Sequence, residues 1–99
     1  MGAVGDVFRA LADPTRRLIL DELTERDGQT LFELCSRLTM RHGVGSTRQA
    51  ISQHLDVLED AGLVRVRRDG RYKFHHVDLA PLRAAVEPWL NASRDKEQP

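Results

Sequence analysis

The sequence predicts a mainly α-helical domain with one small β-hairpin, its elements in the order α-α-α-α-β-β-α. Three observations carry this. Apolar residues recur at helical spacing in four successive stretches before Gly62. From Leu63 to Val77 apolar and basic residues alternate around Asp69-Gly70, the pattern of a hairpin. A last apolar stripe then runs from Leu79 to Leu90. A chain of 99 residues has the size of one domain. That domain is expected over residues 1–91, with the polar stretch 92–99 as a disordered tail.

Each element has its own local signals. Val4, Val7, Phe8 and Leu11 share one face of the first helix. Asp13-Pro14 then supplies an N-cap and a proline at the first helical position. The second helix runs from Pro14 to about Arg26, with Leu18, Ile19, Leu20 and Leu23 as its core, and Asp27-Gly28 ends it. A third begins near Thr30 and carries Leu31, Leu34, Cys35 and Leu38. Gly43-Val44-Gly45 breaks the chain. Ser46-Thr47-Arg48-Gln49 has the Ser-x-x-Gln form of a capping box, and a fourth helix follows to about Ala61. Asp78 caps a last helix bearing Leu79, Leu82, Val86, Trp89 and Leu90, which Pro88 would kink or split. The third and fourth helices read as a helix-turn-helix, with the hairpin beside them as a wing.

The charge distribution agrees. Net charge is zero, yet residues 41–76 hold seven Arg or Lys against four Asp or Glu, and residues 65–73 hold five against one. A local basic element on a neutral body is what phosphate contact requires. On the fourth helix, Ala50, Ile51, Leu55, Val57 and Leu58 fall on one arc, with Arg48, Gln49, Ser52, Gln53 and Asp56 opposite. Arg, Gln and Ser can pair with base edges, so Arg48, Gln49, Ser52 and Gln53 are the candidate readers of double-stranded DNA. Ser46, Thr47, Arg65, Arg67, Arg68, Arg71 and Lys73 are the candidate backbone contacts. In the wing, a three-residue loop Arg68-Asp69-Gly70 would pair Val66 with Tyr72 and Arg67 with Arg71. Val64, Val66, Tyr72 and Phe74 would then face inward, and Arg65, Arg67, Arg71 and Lys73 outward. His54 falls on the apolar arc and reads as a packed histidine bonded locally. An anionic protein or RNA surface is the alternative partner for the basic wing.

These residues resemble a known family. Ala10-Leu11-Ala12-Asp13-Pro14-Thr15-Arg16-Arg17-Leu18-Ile19-Leu20 is similar to the opening of the arsenic-repressor-type (ArsR/SmtB) winged-helix regulators. Ile51-Ser52-Gln53-His54-Leu55, Val57-Leu58-Glu59 and Ala61-Gly62-Leu63-Val64 resemble their recognition helix leading into the wing, and Arg68-Asp69-Gly70-Arg71 their wing tip. The similarity spans about residues 6–90. It implies a homodimeric repressor joined through the first and last helices. Val4, Phe8, Leu11, Leu82, Val86 and Trp89 are the apolar residues expected at that interface. The stretch Thr39–Gly45 is longer than the family's usual turn, so the third helix is expected to run to about His42.

Many relatives release DNA on binding a metal. The family's third-helix cysteine pair falls here on Thr30 and Phe32, and Cys35 lies beyond it on the core stripe. Of the last-helix ligands Asp78 is present, but Ala80 or Pro81 takes the histidine position and the later pair falls near Asn91 and Arg94. His75 and His76 are adjacent in a strand and point to opposite faces. No metal is therefore expected at either of the family's sites, and no cofactor; a His42-centred site in the long turn is the open alternative, and the sequence names no effector. No phosphate-binding glycine loop, metal-ligand cluster or nucleophile–base motif suggests an enzyme. No apolar run approaches the roughly 20 residues of a membrane helix. Neither a secretory signal nor a myristoylation signal is expected, since Asp6 stands where the latter wants Ser or Thr. One cysteine cannot form an internal disulfide, which fits a cytoplasmic protein. The competing reading is a winged helix that serves protein association without DNA.

Overall fold

The computed structural model of the chain describes residues 4–97. Its elements are α1 (Val4–Leu11), α2 (Pro14–Glu25), α3 (Leu31–His42), α4 (Arg48–Asp60), β1 (Val64–Asp69), β2 (Tyr72–Val77) and α5 (Ala80–Glu97). The order is the expected α-α-α-α-β-β-α.

The helix starts follow from short polar side chains. The Asp13 carboxylate accepts from the N–H groups of Thr15 at 2.8 Å and Arg16 at 3.2 Å, ahead of Pro14. At α3 the Thr30 hydroxyl accepts from the Glu33 N–H, and the Glu33 carboxylate accepts from the Thr30 N–H, a reciprocal box. α3 ends at Gly43, whose φ of +65° a side chain would resist. It reaches His42, the limit anticipated from the long turn.

Two boundaries differ from expectation. The N-cap of α4 is Thr47, not Ser46: its hydroxyl accepts from the Ala50 N–H at 3.1 Å. The third helical position is therefore Ala50, which has no side-chain acceptor to complete a box. α5 runs unbroken past Pro88 to Glu97, through residues assigned above to a disordered tail. Ala84 and Pro88 both lie on an exposed stretch, so the carbonyl left without a helical donor is within reach of water.

The core draws on every helix before the wing. Val7 and Ala10 of α1 meet Ile19 and Leu23 of α2, Leu34 and Leu38 of α3, and Ile51, Leu55 and Leu58 of α4. Leu63 and Val64 extend it beneath the hairpin. Burial of the Val, Leu and Ile side chains among these contributes on the order of 1.5–3 kcal/mol each. It fixes the roll of α4 and so the direction its polar arc faces.

The hairpin register corrects the sequence reading. β1 and β2 pair antiparallel with Val64 opposite Val77, Val66 opposite His75, Arg67 opposite Phe74 and Asp69 opposite Tyr72. The turn is the two residues Gly70 and Arg71, with Gly70 at φ +62°, not the three-residue Arg68-Asp69-Gly70 loop. The cause lies at the far edge of β2. The Gly28 and Gln29 N–H groups donate to the His75 carbonyl, and the His75 N–H donates to the Gln29 carbonyl. His75 Nδ1 donates to that same carbonyl at 2.8 Å. β2 is thus held between β1 and residue 29, with His75 buried. Strand parity then turns Phe74 and Tyr72 outward.

Candidate nucleic-acid interface

α4 presents two unlike faces. Ile51, Leu55 and Leu58 are buried, while Arg48, Gln49, Gln53 and Asp56 are exposed and Ser52 is half-buried. Gln49 and Gln53, four residues apart, stand on one exposed stripe. Ser46 and Thr47 are exposed just before the helix, where unpaired N–H groups and the helix dipole favour an anion. The predicted readers therefore share a face, with two refinements. Arg48 leans toward α3, its guanidinium 5.8 Å from the centre of the Phe32 ring. Ser52 lies at the edge of a cleft beneath the wing, with Asp56, Glu59, Lys73 and His75.

The wing does not present the expected four-residue clamp on one face. Cross-strand partners share a face, so Arg68 and Lys73 lie with Val66 and His75 on the side toward α4. Arg65 and Arg67 lie on the other side with Tyr72, Phe74 and His76, and Arg71 stands in the turn. Tyr72 is 60% exposed, so its expected inward place is also corrected. Arg65 is engaged already, with Nε 2.9 Å from Asp78 Oδ2. Arg67, Arg68, Arg71 and Lys73 are all exposed, and together they surround the distal end of the hairpin.

All four histidines have polar partners. His75 is buried, and that burial holds its pKa below the usual histidine value despite the Gln29 carbonyl. His76 Nδ1 is 2.9 Å from Asp27, whose other oxygen accepts from the Val77 N–H. His54 is half-buried as expected, but its partner is distant in sequence: Arg16 Nη1 stands 3.3 Å from its Nδ1. His42 Nε2 is 3.1 Å from Glu22.

That last contact belongs to a cluster the sequence reading missed. The Glu22 side chain is wholly buried, with Arg37 Nε at 2.6 Å and Arg41 Nε at 3.6 Å. Burial pushes its pKa up, but the bonds from Arg37 and His42 and the nearby Arg charges outweigh that, so it is held below the usual glutamate value. The cluster ties α2 to the last two turns of α3. The available signal was the carboxylate pair Asp21-Glu22 within the apolar run Leu18–Leu23.

Cys35 is half-buried beside Arg48, and burial pushes its thiol pKa up against the pull of that charge. No group of three His, Cys, Asp or Glu side chains is placed to hold a metal ion among the described residues. No described helix is long and apolar enough to cross a membrane.

A separate apolar face joins α1 and α5. The Phe8 and Trp89 rings stack with centres 5.8 Å apart, and Trp89 remains 62% exposed. Leu82 and Val86 line a groove of about 450 Å³ along α5 with Leu79 and Leu90, and Leu11 is half-buried. Val4 opens α1, and its side chain lies outside the described residues.

A helix-turn-helix domain family matches residues 11–67. The HTH-type transcriptional regulator YuzN of Bacillus subtilis is 50% identical over 84 residues, covering 85% of this chain and 91% of the relative. An ArsR-like transcriptional regulator from Rhodococcus sp. RHA1 superimposes with a TM-score of 0.78 at 31% identity, over 95% of this chain and 80% of that one. A crystal structure of another ArsR-family transcriptional regulator superimposes with a TM-score of 0.74 at 28% identity, over the full length of both chains. The fold, the order of its elements and these relatives agree: the chain belongs to the ArsR/SmtB-type family of helix-turn-helix transcriptional regulators.

Proposed function

We propose that the chain acts in the cytoplasm as a homodimeric repressor that binds a pseudo-palindromic DNA operator. The observation that carries this is the division of α4, whose apolar arc is locked in the core while Arg48, Gln49 and Gln53 stand exposed at its first turns. A helix of that form fits the major groove, with Ser52 as a nearby fourth reader. Ser46 and Thr47 would meet a phosphate at the helix start. Arg67, Arg68, Arg71 and Lys73 would straddle the backbone at the wing, with Arg65 held back by Asp78. The α1–α5 face, with Phe8, Leu11, Leu82, Val86 and Trp89, would join two copies. That would set two α4 helices for half-sites about one helical turn apart, roughly 10 bp. Repression is supported by likeness to the transcriptional repressor SdpR of Bacillus subtilis, 28% identical over 88 residues, 89% of this chain and 90% of the relative.

The test is fluorescence anisotropy with a duplex from the chain's own upstream region, titrated at several salt concentrations. A dimer contacting 6–10 phosphates loses about 10³–10⁵ in affinity between 50 and 200 mM salt. Absence of binding at low salt, with the protein folded, would favour an association module instead.

A further inference from the structure

Arg16 lies in the first turn of α2, and its guanidinium reaches two other helices. Its Nε donates to the Ala10 carbonyl at 2.7 Å, and Nη2 donates to the Arg9 carbonyl at 3.0 Å. Both acceptors lie in the last turn of α1, where the Arg9 carbonyl also takes the Ala12 N–H at 3.2 Å. Nη1 faces His54 Nδ1 on α4 at 3.3 Å. A guanidinium only donates, so this bond requires Nδ1 as its acceptor. Asp13 holds the Arg16 backbone N–H, which fixes where the side chain sets out. One planar group therefore joins α1, α2 and α4.

The two ends of this bridge touch the two surfaces described above. α1 carries Phe8, stacked on Trp89 in the apolar α1–α5 face. His54 follows Gln53 directly and is flanked on α4 by the buried Ile51, Leu55 and Leu58. An apolar side chain would satisfy packing on that arc; a half-buried imidazole must lose hydration unless it gains a bond. The bond it gains runs to the residue that caps α1. Lysine could not replace Arg16, since one ammonium cannot present three donors in a fixed plane.

We propose that Arg16 is a positioning residue that couples the seating of α1 to the placement of α4 on DNA, acting through His54. The proposal rests on the DNA-reading role of α4 given above. Seating a second copy on the α1–α5 face fixes α1, the carbonyls of Arg9 and Ala10 fix the guanidinium, and His54 holds the reader turn in register. Linkage then requires DNA to favour the same seating of α1.

A double-mutant cycle on DNA affinity tests this, using Arg16→Lys, His54→Leu and their combination with the upstream duplex. Thermal melting and sedimentation of each variant run alongside. Each single change is expected to weaken binding about 5-fold or more, and the pair no more than the worse single. The melting midpoint should stay above the assay temperature and the mass in solution should not change. His54→Asn, whose Oδ1 can take the place of Nδ1 as acceptor, should recover most of the affinity lost in His54→Leu. Single effects that multiply in the double variant would overturn the coupling, as would wild-type affinity in His54→Leu. If Arg16→Lys does not fold, the contrast between His54→Leu and His54→Asn decides alone. A wild-type chain that binds no DNA overturns the DNA reading itself, whereas wild-type binding with uncoupled variants overturns only the positioning role.

Discussion

Glu22→Gln is the most informative single change for the scaffold that holds the helix-turn-helix. The substitution keeps the shape of the side chain and removes its charge. What remains is Arg37, with a side chain 23% exposed and its anion gone, and Arg41, at 42%, which keeps Glu25 at 2.8 Å. Breaking a fully buried ion pair from one side costs about 3–5 kcal/mol. Partial exposure lets these two cations regain hydration, which brings the expected cost to about 2–3 kcal/mol. In a domain near 100 residues each kcal/mol moves the melting midpoint by about 4–8 °C, so a drop of roughly 8–24 °C is expected. The pH dependence has a definite sign. The Glu22 carboxyl is held below its ordinary value of 4.5, so its contribution is present above that value and is lost as pH falls below it. The gap between wild type and Glu22→Gln should therefore narrow on acidification. The assay is circular dichroism melting at fixed protein concentration, near neutrality and at about pH 4. A midpoint within about 2 °C of wild type at neutral pH would show that the cluster is not a net stabiliser and refute the reasoning.

Other consequences can be checked with the same protein. Gln53→Ala should change which operator variants are preferred, while Arg71→Ala should weaken all sequences alike and lower the salt slope by about one unit, as anisotropy will show. Arg65→Ala should change that slope far less, because Asp78 already holds its guanidinium. Trp89→Ala removes a 62% exposed ring from the α1–α5 face and should shift sedimentation toward the monomer; an unchanged mass would exclude that interface. Burial holds the His75 pKa below its ordinary 6.5, so the stability it contributes is present above that value and declines as pH falls through the lower folded value. Melting at a series of pH values should show a wild-type midpoint falling more steeply with acid than that of His75→Gln.

Most of the helical part of the fold was legible because it rests on local chemistry. Asp13-Pro14, Thr30 with Glu33 and Gly43 act within a turn of their own position, and such signals survive without knowledge of the tertiary structure. The roll of α4 was legible for a related reason: five apolar positions on one arc leave one way to bury it. The one-residue shift from Ser46 to Thr47 shows the limit, since both can cap a helix and local chemistry does not separate them. The Glu22 cluster was out of reach because its cations lie on α3, 15 to 20 residues away, and pairing across helices is not a periodic signal.

The wing failed for a more instructive reason. Alternation in a hairpin divides residues into two sets but does not say which set is buried, so hydrophobicity alone makes the choice. In β2 that choice selects Tyr72 and Phe74, yet the buried residue is His75. The deciding contacts come from Gly28 and Gln29, far earlier in the chain, which satisfy the His75 backbone and ring together. Burying a histidine is tolerable once both its main-chain groups and its Nδ1 are bonded, whereas Phe74 loses only part of its favourable burial by turning outward beside Tyr72. The consequence for function follows by parity. The same register that buries His75 puts Lys73 and Arg68 on the side of α4 and leaves Arg65 beside Asp78. The wing charge on the α4 side is therefore set by a backbone bridge at residue 29, and on the proposed DNA-binding role a change there should weaken binding in the anisotropy assay without touching a basic residue.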